Sequence, residues 1–153
     1  MSGWFNKVKD DLSNVVGAIS YYESEFEQAK LEVGMKGNLE RLSREIPGIV
    51  AYRFAQLQEI EAILEYLNIQ YRIKMRYHYR KYLEHYNKAL SSRDAEKYAE
   101  NEDEVVAYED LVNEFALVRN KWLGVIKAME AKQFQISNIV RLRTAGLEDI
   151  NLT

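Results

Sequence analysis

Apolar residues recur every three or four positions along most of this chain, the spacing that lines one face of an α-helix. Phe5, Val8, Leu12, Val15, Ile19, Tyr22 and Phe26 carry the pattern through residues 4–32 and predict one amphipathic helix there. Gly34 and Gly37 interrupt it. Residues 43–48 read as a junction, with Pro47 near a helix start, where its missing N–H is tolerated. From about 47 to 90 the pattern predicts one long helix, roughly 65 Å at 1.5 Å per residue. Its seam is Phe54, Leu57, Ile60, Leu64, Leu67 and Tyr71, and beyond Tyr71 the same positions hold Lys74, His78 and Tyr82. A packing surface thus gives way to a basic and aromatic one.

Residues 91–101 read as a polar connection with a short helix over 94–98. Asn101-Glu-Asp-Glu104 has the form of a capping box, with three acids suited to the positive end of a helix dipole. The helix that follows is predicted to run to about Lys132. Leu111, Phe115, Val118, Trp122, Val125 and Met129 are spaced 4, 3, 4, 3 and 4, and Val105 and Tyr108 extend their face. A last segment over 134–144 carries Phe134, Ile136, Ile139, Val140 and Leu142, and Gly146 stops it. The fold class is therefore all-α: long amphipathic helices joined by short loops. The length of the stripes calls for partner helices from this chain or another copy, and the C-terminal ones are expected to form an oligomerisation surface. The chain divides into 1–45, a helical segment of unassigned role; 46–101, the long helix and its connection; and 102–153, the oligomerisation region.

Composition narrows the class. The chain has 153 residues, 47% of them apolar, enough for one domain with a sizeable core. One proline and seven glycines agree with long helices rather than a sheet with many turns. Without cysteine there is no disulfide and no thiolate metal site, which fits a reducing cytoplasm. No apolar run approaches the roughly 18 residues that span a bilayer. The N-terminus lacks the basic-then-apolar form of a secretory signal.

The net charge of −3 conceals segregation. Residues 69–88 hold six bases and one acid, whereas 89–118 hold two bases and nine acids. The stretch 71–82 interleaves Arg72, Lys74, Arg76, Arg80 and Lys81 with Tyr71, Tyr77, His78, Tyr79 and Tyr82. Bases neutralise phosphates and flat rings give unpaired nucleobases a stacking surface, so this composition suits single-stranded nucleic acid. The bland alternative is a solvated helix whose tyrosines pack on a neighbour while basic stems lie over it. An anionic protein or membrane surface is a third reading, although a membrane-binding helix would show a bulkier apolar face. A second basic group, Arg119, Lys121, Lys127, Lys132, Arg141 and Arg143, is dispersed and has at most a supporting role.

Nothing points to an enzyme. His78 and His85 are the only histidines, and neither a Glu-x-x-His pair nor a His-Glu-x-x-His helix is present. Phosphate-binding glycine loops are also missing. Acid pairs such as Glu61/Glu65 and Glu100/Glu104 read as solvated helix faces. No cofactor is expected.

The C-terminal half resembles the UvsY-type recombination mediator proteins of T-even-like phages. The resemblance runs from Glu102-Asp-Glu-Val-Val106 through the Trp122 helix and Phe134-Gln-Ile136-Ser-Asn-Ile139-Val-Arg-Leu-Arg143 to about residue 150, about fifty residues at unbroken spacing. Upstream, Arg80-Lys81-Tyr82-Leu83-Glu84-His85-Tyr86-Asn87 is similar to the family's basic helix and the turn that follows it. Arg80 stands where the family keeps a DNA-binding lysine, and Tyr82 where it keeps an arginine, a charge that Lys81 or Arg76 would supply. Residues 1–45 show no counterpart. The resemblance implies a non-enzymatic helical protein that coats single-stranded DNA, displaces single-strand-binding protein and helps load a RecA-like recombinase. It also implies a homo-oligomeric ring, a hexamer or heptamer, joined through the C-terminal helices. A phage-encoded protein of this kind would act in the host cell cytoplasm. Arg72, Lys74, Arg76, Tyr77, Tyr79, Arg80, Lys81 and Tyr82 are then the expected DNA-binding residues. Leu111, Phe115, Val118, Trp122, Val125, Met129, Phe134, Ile136 and Ile139 are the expected subunit contacts. The alternative is a scaffolding coiled-coil protein that binds no nucleic acid.

Overall fold

A computed structural model describes residues 3–86 and 88–146, and every regular element among them is helical. Asn87 and the ends of the outer segments, 1–2 and 147–153, lie outside the described residues. The helices are α1 (Trp4–Asp10), α2 (Val15–Glu32), α3 (Leu39–Glu84), α4 (Ser92–Glu100) and α5 (Asp103–Thr144). At 1.5 Å per residue the 46 residues of α3 and the 42 of α5 run about 69 and 63 Å. They lie antiparallel: His78, near the end of α3, meets Glu104 at the start of α5.

The single helix expected over 4–32 is broken. Asp11 is extended (φ −149°, ψ 117°) and its carboxylate accepts from the Ser13 N–H at 2.9 Å. Asn14 Nδ2 donates back to the Lys7 carbonyl at 2.8 Å. These short polar side chains bind local backbone groups in competition with the helix, and a 3-10 turn over Leu12–Asn14 results.

The junction expected at 43–48 is absent, and α3 begins eight residues before Pro47. Gly37, at φ +98°, turns the chain, and Asn38 Oδ1 accepts from the N–H groups of Glu40 and Arg41 at 2.9 and 3.2 Å. Pro47 therefore sits inside the helix. Pro47 and Ser43 are both exposed, so the Ser43 carbonyl that loses its helical partner faces water.

Two further boundaries differ. The capping box at 101–104 does not form: Asn101 Nδ2 closes α4 by donating to the Lys97 carbonyl at 2.7 Å, and Glu102 occupies the cap position of α5 without a side-chain bond. The short helix α4 does form, capped by Ser91 Oγ accepting from the Asp94 N–H. No break separates residues 132 and 134, since no glycine or proline falls between Gly124 and Gly146. Gly146, at φ +75°, ends α5 as expected.

The heptad stripe of α5 is buried inside one chain. Trp122, Phe115 and Met129 are fully enclosed with Ile60, Ile63 and Leu67 of α3 and Val15, Ala18 and Tyr22 of α2 and its start. Trp122 Nε1 donates to the Tyr22 carbonyl at 3.3 Å, and the Tyr22 ring meets Trp122 and Phe115 edge-on. Burial also covers Val118, Val125 and Ile136, while Leu111 and Ile139 are half-buried and Phe134 is 66% exposed. Within one chain α3 and α2, the latter of a role the sequence left open, cover this stripe, and α1 packs on α3. The three segments share one core. On α3, Phe54 falls off the seam and is exposed, because Arg53, Gln56 and Glu59 turn inward.

Those inward polar groups are bonded. Arg53 donates from Nε to Glu32, from Nη1 to Glu25 at 2.6 Å and to Gln56 at 2.9 Å. Tyr22 OH donates to the Glu59 carboxylate, which also accepts from the Trp4 N–H at 3.2 Å. Lys132 Nζ donates to the Glu32 and Gly34 carbonyls at 2.6 and 2.9 Å, placing a cation on the open carbonyls that end α2.

Candidate nucleic-acid interface

The last third of α3 presents two different faces. One continues the core seam. Lys74 Nζ lies 2.9 Å from Glu104 Oε1, His78 Nε2 lies 2.9 Å from Glu104 Oε2, and Tyr82 OH donates to the Glu102 carboxylate. This face is occupied by the start of α5. Hydrogen bonds from His78 and then Lys74 hold the Glu104 carboxyl below the ordinary glutamate range, and the same bond raises the Lys74 ammonium. Bonding to Glu102 raises the Tyr82 phenol.

Because the folded pKa of Glu104 is depressed, its contribution to stability is present above the ordinary glutamate value of 4.5 and is lost as pH falls through the lower folded value. The thermal midpoint of the wild-type protein is expected to fall on acidification below 4.5, and to fall less in Glu104→Gln. Equal falls measured by circular dichroism would show that this clamp carries no linkage. The effect is small, since Glu104 is largely solvated.

The opposite face is open. Arg76 and Arg80, and likewise Tyr77 and Lys81, stand one helical turn apart, and the four share a shallow groove of about 540 Å³ with Ile73, Glu84 and His85. Tyr77 is 63% exposed and touches the His78 ring edge-on. Among the described residues, no acid lies within ion-pair distance of Arg76, Arg80 or Lys81. Arg72 is exposed and 3.6 Å from Glu65, a solvated contact worth little. Arg76 also borders a second hollow, of about 390 Å³, with Arg72, Met75, Tyr79 and the α4 residue Glu96.

Of the eight expected DNA-binding residues, the structure brings Arg72, Arg76, Tyr77, Arg80 and Lys81 to open surface. It turns Lys74 and Tyr82 inward onto Glu104 and Glu102, because they follow the seam's register. Tyr79 is half-buried beside α4. Sequence reasoning missed Ile73, Glu84 and His85 as groove residues. The register would have found Ile73 and Glu84: residues 73, 76, 77, 80 and 84 share one helical face, turned away from 71, 78 and 82, whereas His85 lies just past the end of α3. In the second basic group, Lys132 is taken up by the end of α2.

Among the described residues no helix is long and apolar enough to cross a membrane, and no cluster of three or more acids and histidines could hold a metal ion. Comparison with protein-family models, curated proteins and solved structures finds no match to this chain.

Proposed function

We propose that the protein binds single-stranded DNA on the open face of α3 and acts as a recombination mediator. In that role it would help load a RecA-like recombinase onto strands covered by single-strand-binding protein. The observation that carries binding is the groove itself: three bases without acidic partners and one exposed ring, in a protein of net charge −3. Arg76, Arg80 and Lys81 neutralise phosphates, Arg72 assists from the flank, and Tyr77 offers a ring. The mediator role and the recombinase partner rest on the family resemblance of residues 76–87 and 102–150. So does assembly into a ring. With the heptad stripe buried, copies would meet through apolar residues still exposed on α5, such as Phe134, Val140 and Leu142. A ring repeats a modest site, so weak contacts add up through effective concentration.

Fluorescence anisotropy with oligo-dT tests the binding. The logarithm of affinity is expected to fall against the logarithm of salt with a slope of about −0.7 per phosphate, so roughly −2 to −3 for three or four bases. Arg76→Ala with Arg80→Ala should weaken binding about tenfold or more at low salt and reduce the slope by about 1.4. Both residues are exposed, so helicity should not change. Salt-insensitive binding, or an unaltered double variant, would remove this face from the assignment. The scaffold reading draws support from one observation: Lys74, His78 and Tyr82 are spent on contacts within the chain. No retention of single strands at low salt would favour it.

A further inference from the structure

Three tyrosines gather where α3, α4 and α5 meet. Tyr98 of α4 lies nearly parallel to Tyr82 (centroids 5.4 Å apart, planes at 27°) and to Tyr86 (6.1 Å, 28°). The Tyr82–Tyr86 pair is tilted, with centroids 5.6 Å apart. Tyr82 is fixed by its hydrogen bond to Glu102. A ring cluster built only for packing would be enclosed, as Tyr22, Phe115 and Trp122 are, each at 0% exposure. Here Tyr86 and Tyr98 remain 47% and 49% exposed. The stack joins the end of α3, the turn after it and α4, and still shows ring surface to water.

We infer that Tyr86 and Tyr98 form a stacking platform for an unpaired base of a single strand whose phosphates lie in the groove of Arg76, Arg80 and Lys81. This rests on the binding reading above and adds to it a site for the base. Lys81 joins the two parts: it lines the groove, and its Nζ lies 6.0 Å from the centre of the Tyr82 ring. Charge separates their tasks. The segments around the platform set exposed bases (Lys88, Arg93, Lys97) against a larger number of exposed acids (Glu84, Asp94, Glu96, Glu100), so they do not draw a phosphate. Every nucleobase, by contrast, has a flat face that a ring can cover, and such stacking tolerates any sequence. Tyr77 alone offers one ring in the groove; the platform offers two already lying against Tyr82 and each other, so less conformational freedom is lost on binding.

The test compares oligo-dT with an abasic strand of equal length, which keeps the phosphates and lacks the bases, at low salt and with the full-length protein. Wild-type protein is expected to prefer oligo-dT by about tenfold or more. Tyr86→Leu with Tyr98→Leu should lose most of that preference, Tyr77 keeping the rest, with the abasic affinity and the salt slope unchanged. Tyr86→Phe with Tyr98→Phe should keep all three. A wild-type preference surviving in the leucine pair overturns the proposal, as does equal affinity of the wild type for the two strands. Should the leucine pair lose helicity, Tyr86→Leu alone decides, since this residue lies beyond the end of α3; an unchanged preference there overturns the proposal as well. Wild-type protein that holds neither strand overturns the binding reading itself, a different result from equal affinity.

Discussion

Trp122→Ala is expected to lower the free energy of unfolding by about 3–5 kcal/mol, the range for removing a large buried aromatic. Trp122 has no exposed surface and is the largest enclosed side chain. Its ring meets Tyr22 at 6.3 Å and Phe26 at 6.5 Å, and its N–H serves the Tyr22 carbonyl. Truncation removes the apolar contact, opens a cavity between α2 and α5, and takes from the Tyr22 carbonyl the bond it accepts beside its helical one. With total stabilities of domains near 5–15 kcal/mol, little would remain at physiological temperature. Urea denaturation gives the measurement. Trp122→Phe retains the ring contact and should cost less. A loss under about 1 kcal/mol for alanine would mean that α2 does not cover this stripe, and the subunit reading of the heptads would return.

Arg53→Ala is expected to cost about 2–4 kcal/mol, somewhat below the range for breaking a fully buried pair because the acids left behind can partly rehydrate. Arg53 is 4% exposed, and Glu25 and Glu32 are about one-quarter exposed. Burial alone would lower the guanidinium pKa; hydrogen bonds to Glu32 and Glu25 outweigh it, and the net direction is upward. Bonds from Gln56 and, after the opposing effect of burial, from Arg53 hold the Glu25 carboxyl below its ordinary 4.5. That contribution is present above 4.5 and fades as pH falls through the folded value. The gap between wild type and Arg53→Ala should therefore narrow in acid, where the abandoned Glu25 carboxylate takes up a proton. A gap independent of pH would assign the loss to packing of the arginine stem.

The fold class and the helical faces were legible in the chain because periodicity reports burial directly. Leu57, Ile60, Leu64, Leu67, Phe115, Trp122 and Met129 are all core. What the stripe is buried against was not legible. Phe5, Val8, Val15 and Tyr22 have the same periodicity as an independent helix would, and only the tertiary fold shows them closing over α3 and α5. Pro47 misled because its signal is local, whereas the Asn38 cap and the seam beyond it set the helix as a whole. For the candidate site, composition located the segment but not the facing of its side chains. Lys74 and Arg76 look alike in sequence, yet two positions of helical rotation put one on Glu104 and the other in open groove. Tyr98 gave no signal, since its partners Tyr82 and Tyr86 come from the end of α3 and the turn after it.

The bonds from Trp122 to the Tyr22 carbonyl and from Lys132 to the Glu32 carbonyl each join residues 100 positions apart. On the ribosome, at roughly 5–20 residues per second, α2 then waits some 5–20 s between its own emergence and that of the helix that completes its burial. During that interval its apolar face has only α1 and α3 to lie against. The pause makes the nascent chain, rather than the finished protein, the species most exposed to wrong association.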